Sequence, residues 1–184
     1  MSWIDQRPDD AQAGSEVTAG AEPVKTVEPA VFREAMARLG AAVHVATTAG
    51  PGGRCGFTAT AVIPVSDQPA TLLVCLNRRS RITPVLQQNR VLCINTLGAS
   101  EEAIADVFAG RTGTFMEERF KHGEWTAMKT GSPVLVSAAI AFDCRIVEIK
   151  EVASHDVYFC AVESIRQGPA GPILVYHERA YKQV

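Results

Sequence analysis

The sequence predicts a mainly β protein, a closed or nearly closed antiparallel barrel carrying a few short helices. Three observations lead there. Seven apolar, β-branched runs recur along the chain, only brief helical patterns interrupt them, and the turn-rich AGPGGR joins the first two as a hairpin. With 184 residues, 47% of them hydrophobic, the chain can bury the core of a single ordinary domain.

Residues 1–28 are rich in Ala, Gly, Pro, Asp and Glu without hydrophobic periodicity, so they read as a flexible, disordered tail ahead of a domain spanning 29–184. Val31, Phe32, Ala35, Met36 and Leu39 then fall on one face of a helix that should end near Gly40. AVHVATT (42–48) and GFTATAVIPVS (56–66) read as two strands of a hairpin across the turn-rich AGPGGR. Further strands are expected at TLLVCLN (71–77), VLCINTL (91–97), VLVSAAIAFDCRIVEIKEV (134–152), HDVYFCAVESIRQ (155–167) and PILVYH (172–177). Short helices are expected over 82–88 and 101–108.

A formal net charge of −2 provides no global basic field, so a nucleic-acid partner would depend on the single cluster Arg78, Arg79 and Arg81. No interleaved aromatics accompany that cluster, and the nucleic-acid reading is set aside. The five cysteines, Cys55, Cys75, Cys93, Cys144 and Cys160, are dispersed through apolar segments without metal-ligand spacing, as buried thiols of a reducing compartment are. An acidic, polar start and the lack of any run of membrane-spanning length lead to the expectation of a cytoplasmic protein with no membrane partner. GPGGRCG (50–56) lacks the GK[ST] ending, does not match GxGxxG and precedes a strand, so it reads as a hairpin turn and not a phosphate loop. There is no GxSxG, and His44, His122, His155 and His177 show no HExxH or HxH spacing; no metal site is expected.

Four stretches remain as candidates for chemistry. Thr58, Ala59, Thr60 and Ala61 put four small residues in a row, either to let a flat ligand approach the backbone or to allow tight sheet packing. CLNRRS (75–80) opens a strand end into Asn77, Arg78 and Ser80 before a helix, which suits a phosphate or a capped helix start. INTL (94–97) sets the amide of Asn95 in an apolar strand, where it must find backbone or ligand partners. His155, beside Asp156 at a strand start, titrates near neutrality and is either a substrate contact or an ordinary strand-end histidine.

As a set, FREAMARLGAAVHVATT, GFTATAV, PATLLVCLNRRS, VLCINTL, FAG with ERF downstream, AFDCRI, HDVYFCAVE and LVYHERAY resemble, collinearly over about residues 31–181, the short-chain NAD(P)H:flavin oxidoreductases. These are the small reductase partners of two-component flavin monooxygenases. RLGAAV, GFTATAV, LLVCLNR, FDCRI and HDVYFCA resemble in particular the FMN reductases that serve a pyrimidine monooxygenase, with those serving 4-hydroxyphenylacetate and phenol hydroxylases next. The resemblance implies a homodimeric split β-barrel that binds FMN or FAD near its dimer interface, and a hydride transferred to that flavin from NADH or NADPH. It implies that reduced flavin diffuses to a separate flavin-dependent monooxygenase. Thr58, Ala59, Thr60, Ala61 and Val62 match the positions that line the flavin ring, Asn77, Arg78 and Ser80 those around its phosphate, and Asn95, Thr96 and Leu97 those at a flavin edge. His155 matches the nicotinamide-side histidine, although Ala153-Ser154-His155-Asp156 departs from the Gly-Asp-His of many relatives. A flavin-binding module without reductase activity is the reading from another class.

Overall fold

The computed structural model describes residues 24–184; of the expected tail, residues 1–23 lie outside that range. Helix α1 (Pro29–Ala37) opens with proline at its first turn, where a missing N–H leaves no helical bond unmade. It docks on the C-terminal hairpin through the Arg179–Glu34 ion pair (2.6 Å) and the bond from the Glu178 N–H to the Ala37 carbonyl (2.7 Å). The apolar face anticipated from its periodicity is largely exposed to solvent, Val31 at 61%.

Strands β1 (Ala41–Ala42), β11 (Leu174–His177) and β12 (Ala180–Gln183) form a small antiparallel sheet, and β7 (Trp125–Ala127) pairs with β8 (Pro133–Leu135). The main sheet has seven strands: β2 (His44–Thr48), β3 (Cys55–Ala59), β4 (Val62–Asp67), β5 (Ala70–Asn77), β6 (Val91–Thr96), β9 (Ile140–Val152) and β10 (His155–Gln167). Their spatial order is β3-β2-β6-β9-β10-β5-β4, all antiparallel. The thirteen-residue strands β9 and β10 join the two halves, β9 pairing with β6 through its first half and β10 with β5 through its own.

That order corrects one expectation. The stretch 56–66 is not one strand but two, β3 and β4, which occupy opposite edges of the seven-stranded sheet and are joined only by Thr60 and Ala61. Laid flat, seven strands would separate their edges by roughly 29 Å. The three Cα–Cα steps from Ala59 to Val62 reach only about 11 Å. The sheet must therefore curl until its edges approach, and the Thr60–Ala61 link ties them without a ladder of hydrogen bonds closing the ring. The run 134–152 is likewise divided into β8 and β9 by a turn, while β7, β12 and a 3-10 turn at Met116–Lys121 carry no clear signal in the sequence.

The core lies in two parts. Inside the curl, Phe57, Ala59, Leu72, Val74, Leu92, Ile94, Ile146 and Tyr158 pack against Ile82 and Leu86, which border and line helix α2 (Thr83–Asn89). Outside β2 and β3, Val43, Val45 and Leu97 pack under helix α3 (Glu102–Phe108), Phe120, Leu135 and Leu174. Each fully buried side chain of leucine size stabilises the fold by about 2 kcal/mol. Gly56 belongs to this second layer: a Cβ there would stand 2.8 Å from the Phe108 ring and 2.9 Å from the Ala46 carbonyl oxygen, so only glycine lets α3 settle on β3. Arg119 fastens the same corner, donating from Nη1 to the Gly56 and Phe108 carbonyls at 3.1 Å each.

Candidate active site

Register brings the sequence candidates to one region. His44 stands opposite Ala59 on one side and Thr96 on the other, so the ends of β2, β3 and β6 coincide. From Ala59 the chain crosses through Thr60 and Ala61, whose carbonyl accepts the Cys75 N–H at 3.3 Å, to Val62 opposite Val74. Two residues beyond Cys75, Asn77 ends β5 directly across from His155 at the start of β10. The edge-to-edge link therefore has Ala59, His44 and Thr96 on one flank and Asn77 with His155 on the other. Thr60, Ala61 and Val62 are half-buried along it.

Strand alternation sorts the candidates by face. Ala59, Thr96 and His44 share the inner face, with the His44 Nδ1 3.0 Å from the Thr96 hydroxyl. Burial holds the His44 imidazole at about 4, well below its ordinary 6.5, so it is neutral at physiological pH. Thr58 and Asn95 point to the opposite face and are spent on the scaffold. The Thr58 hydroxyl donates to the Ala105 carbonyl of α3 at 2.6 Å. The Asn95 amide donates to the Val45 carbonyl (3.0 Å) and the Thr47 hydroxyl (3.2 Å), and its oxygen accepts the Leu135 N–H (2.8 Å). Leu97 is fully buried in the second core. Within INTL, the Asn95 amide is satisfied by the scaffold, and Thr96 is on the inner face beside His44.

The loop after β5 is built by its own polar groups. The Asn77 side-chain oxygen accepts the Arg79 N–H (2.9 Å), the Asn77 carbonyl accepts the Ser80 N–H (2.9 Å) and the Thr83 hydroxyl (3.1 Å), and the Ser80 hydroxyl accepts the Ile82 N–H (3.3 Å). Arg78 does not reach outward for an anion. Its Nη1 meets Glu151 at 2.6 Å and its Nη2 donates to the Ala153 carbonyl at 2.6 Å. Arg81 lies 5.7 Å from the centre of the Phe115 ring.

His155 sits at the mouth of the β9–β10 turn. Its Nδ1 is 2.8 Å from the Ser154 hydroxyl, while its Nε2 is buried and has no hydrogen-bond partner. Burial lowers its proton affinity, so the ring is neutral near pH 7. A buried nitrogen without a partner is costly, and a ligand edge placed against it would satisfy it. Three residues escaped the sequence reading: His44, whose polar ring in an apolar strand gives the same signal that marked Asn95, and Ser154 and Glu151, which have no local signature.

Comparison with known proteins places this arrangement. Residues 36–184 match the model of the flavin reductase like domain. The chain is 49% identical over 169 residues to the FMN reductase (NADH) RutF of Ancylobacter novellus, covering 92% of both chains. It is 49% identical over 161 residues to the FMN reductase (NADH) RutF of Pantoea ananatis, covering 88% of this chain and 84% of that one. A crystal structure from Haemophilus somnus assigned as a flavin reductase superposes with a TM-score of 0.82 at 46% identity, over 86% of this chain and all of that one. At 20% identity the flavin reductase component of a bacterial two-component tryptophan halogenase shares the fold, with a TM-score of 0.79 over 85% of this chain and 98% of that one. With the family model matching most of its length, the chain belongs to the flavin reductase like domain family.

Proposed function

We infer that the protein is an NADH-dependent FMN reductase that supplies reduced flavin to a separate monooxygenase. The observation that carries this reading is the convergence, at one sheet crossover, of a small-residue floor and a buried histidine nitrogen without a partner. High identity to FMN reductases that use NADH, over nearly the whole chain, supports it.

The residues present fit a flavin and a nicotinamide. Ala59, Thr60, Ala61 and Val62 offer a floor without long side chains, on which a flat ring replaces the apolar area that larger residues would have buried. Thr96 and the neutral His44 stand beside that floor. The loop from Asn77 to Ser80 lies at the other flank, where the Ser80 hydroxyl, which accepts the Ile82 N–H, keeps its own proton to donate to a phosphate. His155, neutral and with Nε2 open, holds the nicotinamide side. When bound, the flavin supplies N5 as acceptor of a hydride from the nicotinamide C4. The protein's own share is to stack, orient and shield the two rings, which needs no nucleophilic triad or metal.

The pyrimidine-monooxygenase branch is the preferred partner, since FMN reductases about half identical to this chain, 49% and 52%, carry the RutF name. A homodimer is proposed as the working form, supported by the largely exposed apolar face of α1 and by the exposed Ile63 and Val65 on β4. Five free cysteines support a cytoplasmic setting.

The decisive experiment is a steady-state assay pairing NADH or NADPH with FMN or FAD. The NADH and FMN pair is expected to give the highest kcat/KM, and His155→Ala to raise the NADH KM roughly ten-fold, the loss of one well-placed hydrogen bond. No oxidation of either nicotinamide would leave a flavin-binding module instead. An unchanged KM would remove His155 from the site.

A further inference from the structure

The Arg78 guanidinium turns to the neighbouring hairpin, where three acceptors engage this residue. Its Nη1 pairs with Glu151 at 2.6 Å, its Nη2 donates to the Ala153 carbonyl at 2.6 Å, and its backbone N–H donates to the Ser154 carbonyl at 3.0 Å. Ala153 and Ser154 form the tight β9–β10 turn, closed by the Val152–His155 pair, and Glu151 stands on β9 just before it. Ala153 there has φ = 50°, a left-handed conformation that an alanine holds only when its surroundings impose it. Next in the chain, the Ser154 hydroxyl lies 2.8 Å from His155 Nδ1, a hydrogen bond that holds the ring's orientation whichever atom donates.

We propose that Glu151 is a positioning residue for His155: through Arg78 it locks the Ala153–Ser154 turn and thereby sets the orientation of the imidazole. The proposal rests on the nicotinamide-side reading of His155. Two features separate it from ordinary surface pairing. The side chains of Arg78 and Glu151 are 40% and 72% exposed, and an ion pair so wet adds little to global stability; what it fixes is local geometry. Arg78 also directly follows Asn77, the residue opposite His155 across β5 and β10, so one side chain ties both flanks of the nicotinamide side to each other. A lysine could make the ion pair but not the fork that takes the Ala153 carbonyl at the same time.

The test uses the full-length protein. In the ligand-free state, nitrogen-15 spectra of His155 should show one sharp set of ring signals in the wild type and exchange-broadened or doubled signals in Glu151→Gln, which keeps the shape and removes the charge. In the assay with NADH and FMN, Glu151→Gln should raise the NADH KM about five-fold, a coupling typical of contacting residues, with the FMN KM unchanged. Arg78→Lys should fall between the two, and in a His155→Ala background Glu151→Gln should add nothing to the NADH KM. If Glu151→Gln leaves both the spectrum and the KM at wild-type values while His155→Ala raises the KM, the clamp is wrong and the site reading stands. If Glu151→Gln raises the KM for both substrates equally, the pair serves the flavin and the proposal fails. If His155→Ala is silent, the nicotinamide reading falls, and the spectrum of Glu151→Gln alone decides whether Glu151 positions the ring.

Discussion

Asn95 shows how a single buried amide can resemble a ligand contact while serving the scaffold. It is fully buried, and it joins β2, through the Val45 carbonyl, to β8, through the Leu135 N–H. Removing the amide leaves a buried acceptor and a buried donor unpaired, each costing about 1–3 kcal/mol. Asn95→Ala is therefore expected to lower the free energy of unfolding in urea by about 3 kcal/mol, with the FMN dissociation constant of the protein that remains folded unchanged. A weakened FMN affinity at full stability would return Asn95 to the flavin edge. Thr96, one residue on and on the opposite face, should show the reverse bias, since its hydroxyl meets His44 beside the crossover.

The crossover itself is the element on which the proposed site turns, and two substitutions of equal size resolve its parts. Ala59 is 1% exposed inside the curl, so Ala59→Leu should overpack the core and lower stability by about 1–3 kcal/mol. Ala61 is only half-buried on the link between the sheet edges, so Ala61→Leu should leave the midpoint of thermal unfolding nearly unchanged and weaken FMN binding by roughly ten-fold, read by fluorescence titration. Equal effects on stability would mean that the stretch is small for packing throughout. The sequence made the smallness visible but not its division among causes. Gly56 answers to the Phe108 ring, Thr58 to the α3 backbone, and only Thr60 and Ala61 to the crossover. Nothing in the local run separates two strands, because Thr, Ala and Val suit a pleat on either side of the break; the break comes from the curl, a property of seven strands at once. Most strands and all three helices were legible because period and turn residues are local. His155, Thr96 and the 77–80 loop enter the proposed site through resemblance, whereas Glu151 does not, since an exposed glutamate acquires meaning only from the arginine that the register brings to it.

At the scale of the whole molecule, the curl places a titratable ring inside the fold, and that couples the site to pH. The folded protein holds His44 at about 4, below the ordinary 6.5, chiefly because burial penalises the imidazolium. The sign follows from proton counting. Above pH 6.5 neither folded nor unfolded chain protonates this ring, and its contribution is constant. Between 6.5 and 4 the unfolded chain binds a proton that the folded chain refuses, so stability falls as the pH falls. By pH 4.5 the loss should reach about 2.5 kcal/mol. His155, lowered by burial as well, acts in the same direction. Urea unfolding of the wild type at pH 7.5 and 4.5 should show this loss, and His44→Gln, which retains a hydrogen-bonding group toward Thr96 but cannot titrate, should lose less by about that amount. Carboxylates that protonate in this range do so in both proteins and cancel in the comparison. Parallel losses would mean that His44 takes up its proton in the folded state at its ordinary value, and the inner face of the sheet would then be open to water beside Ala59 and Thr96.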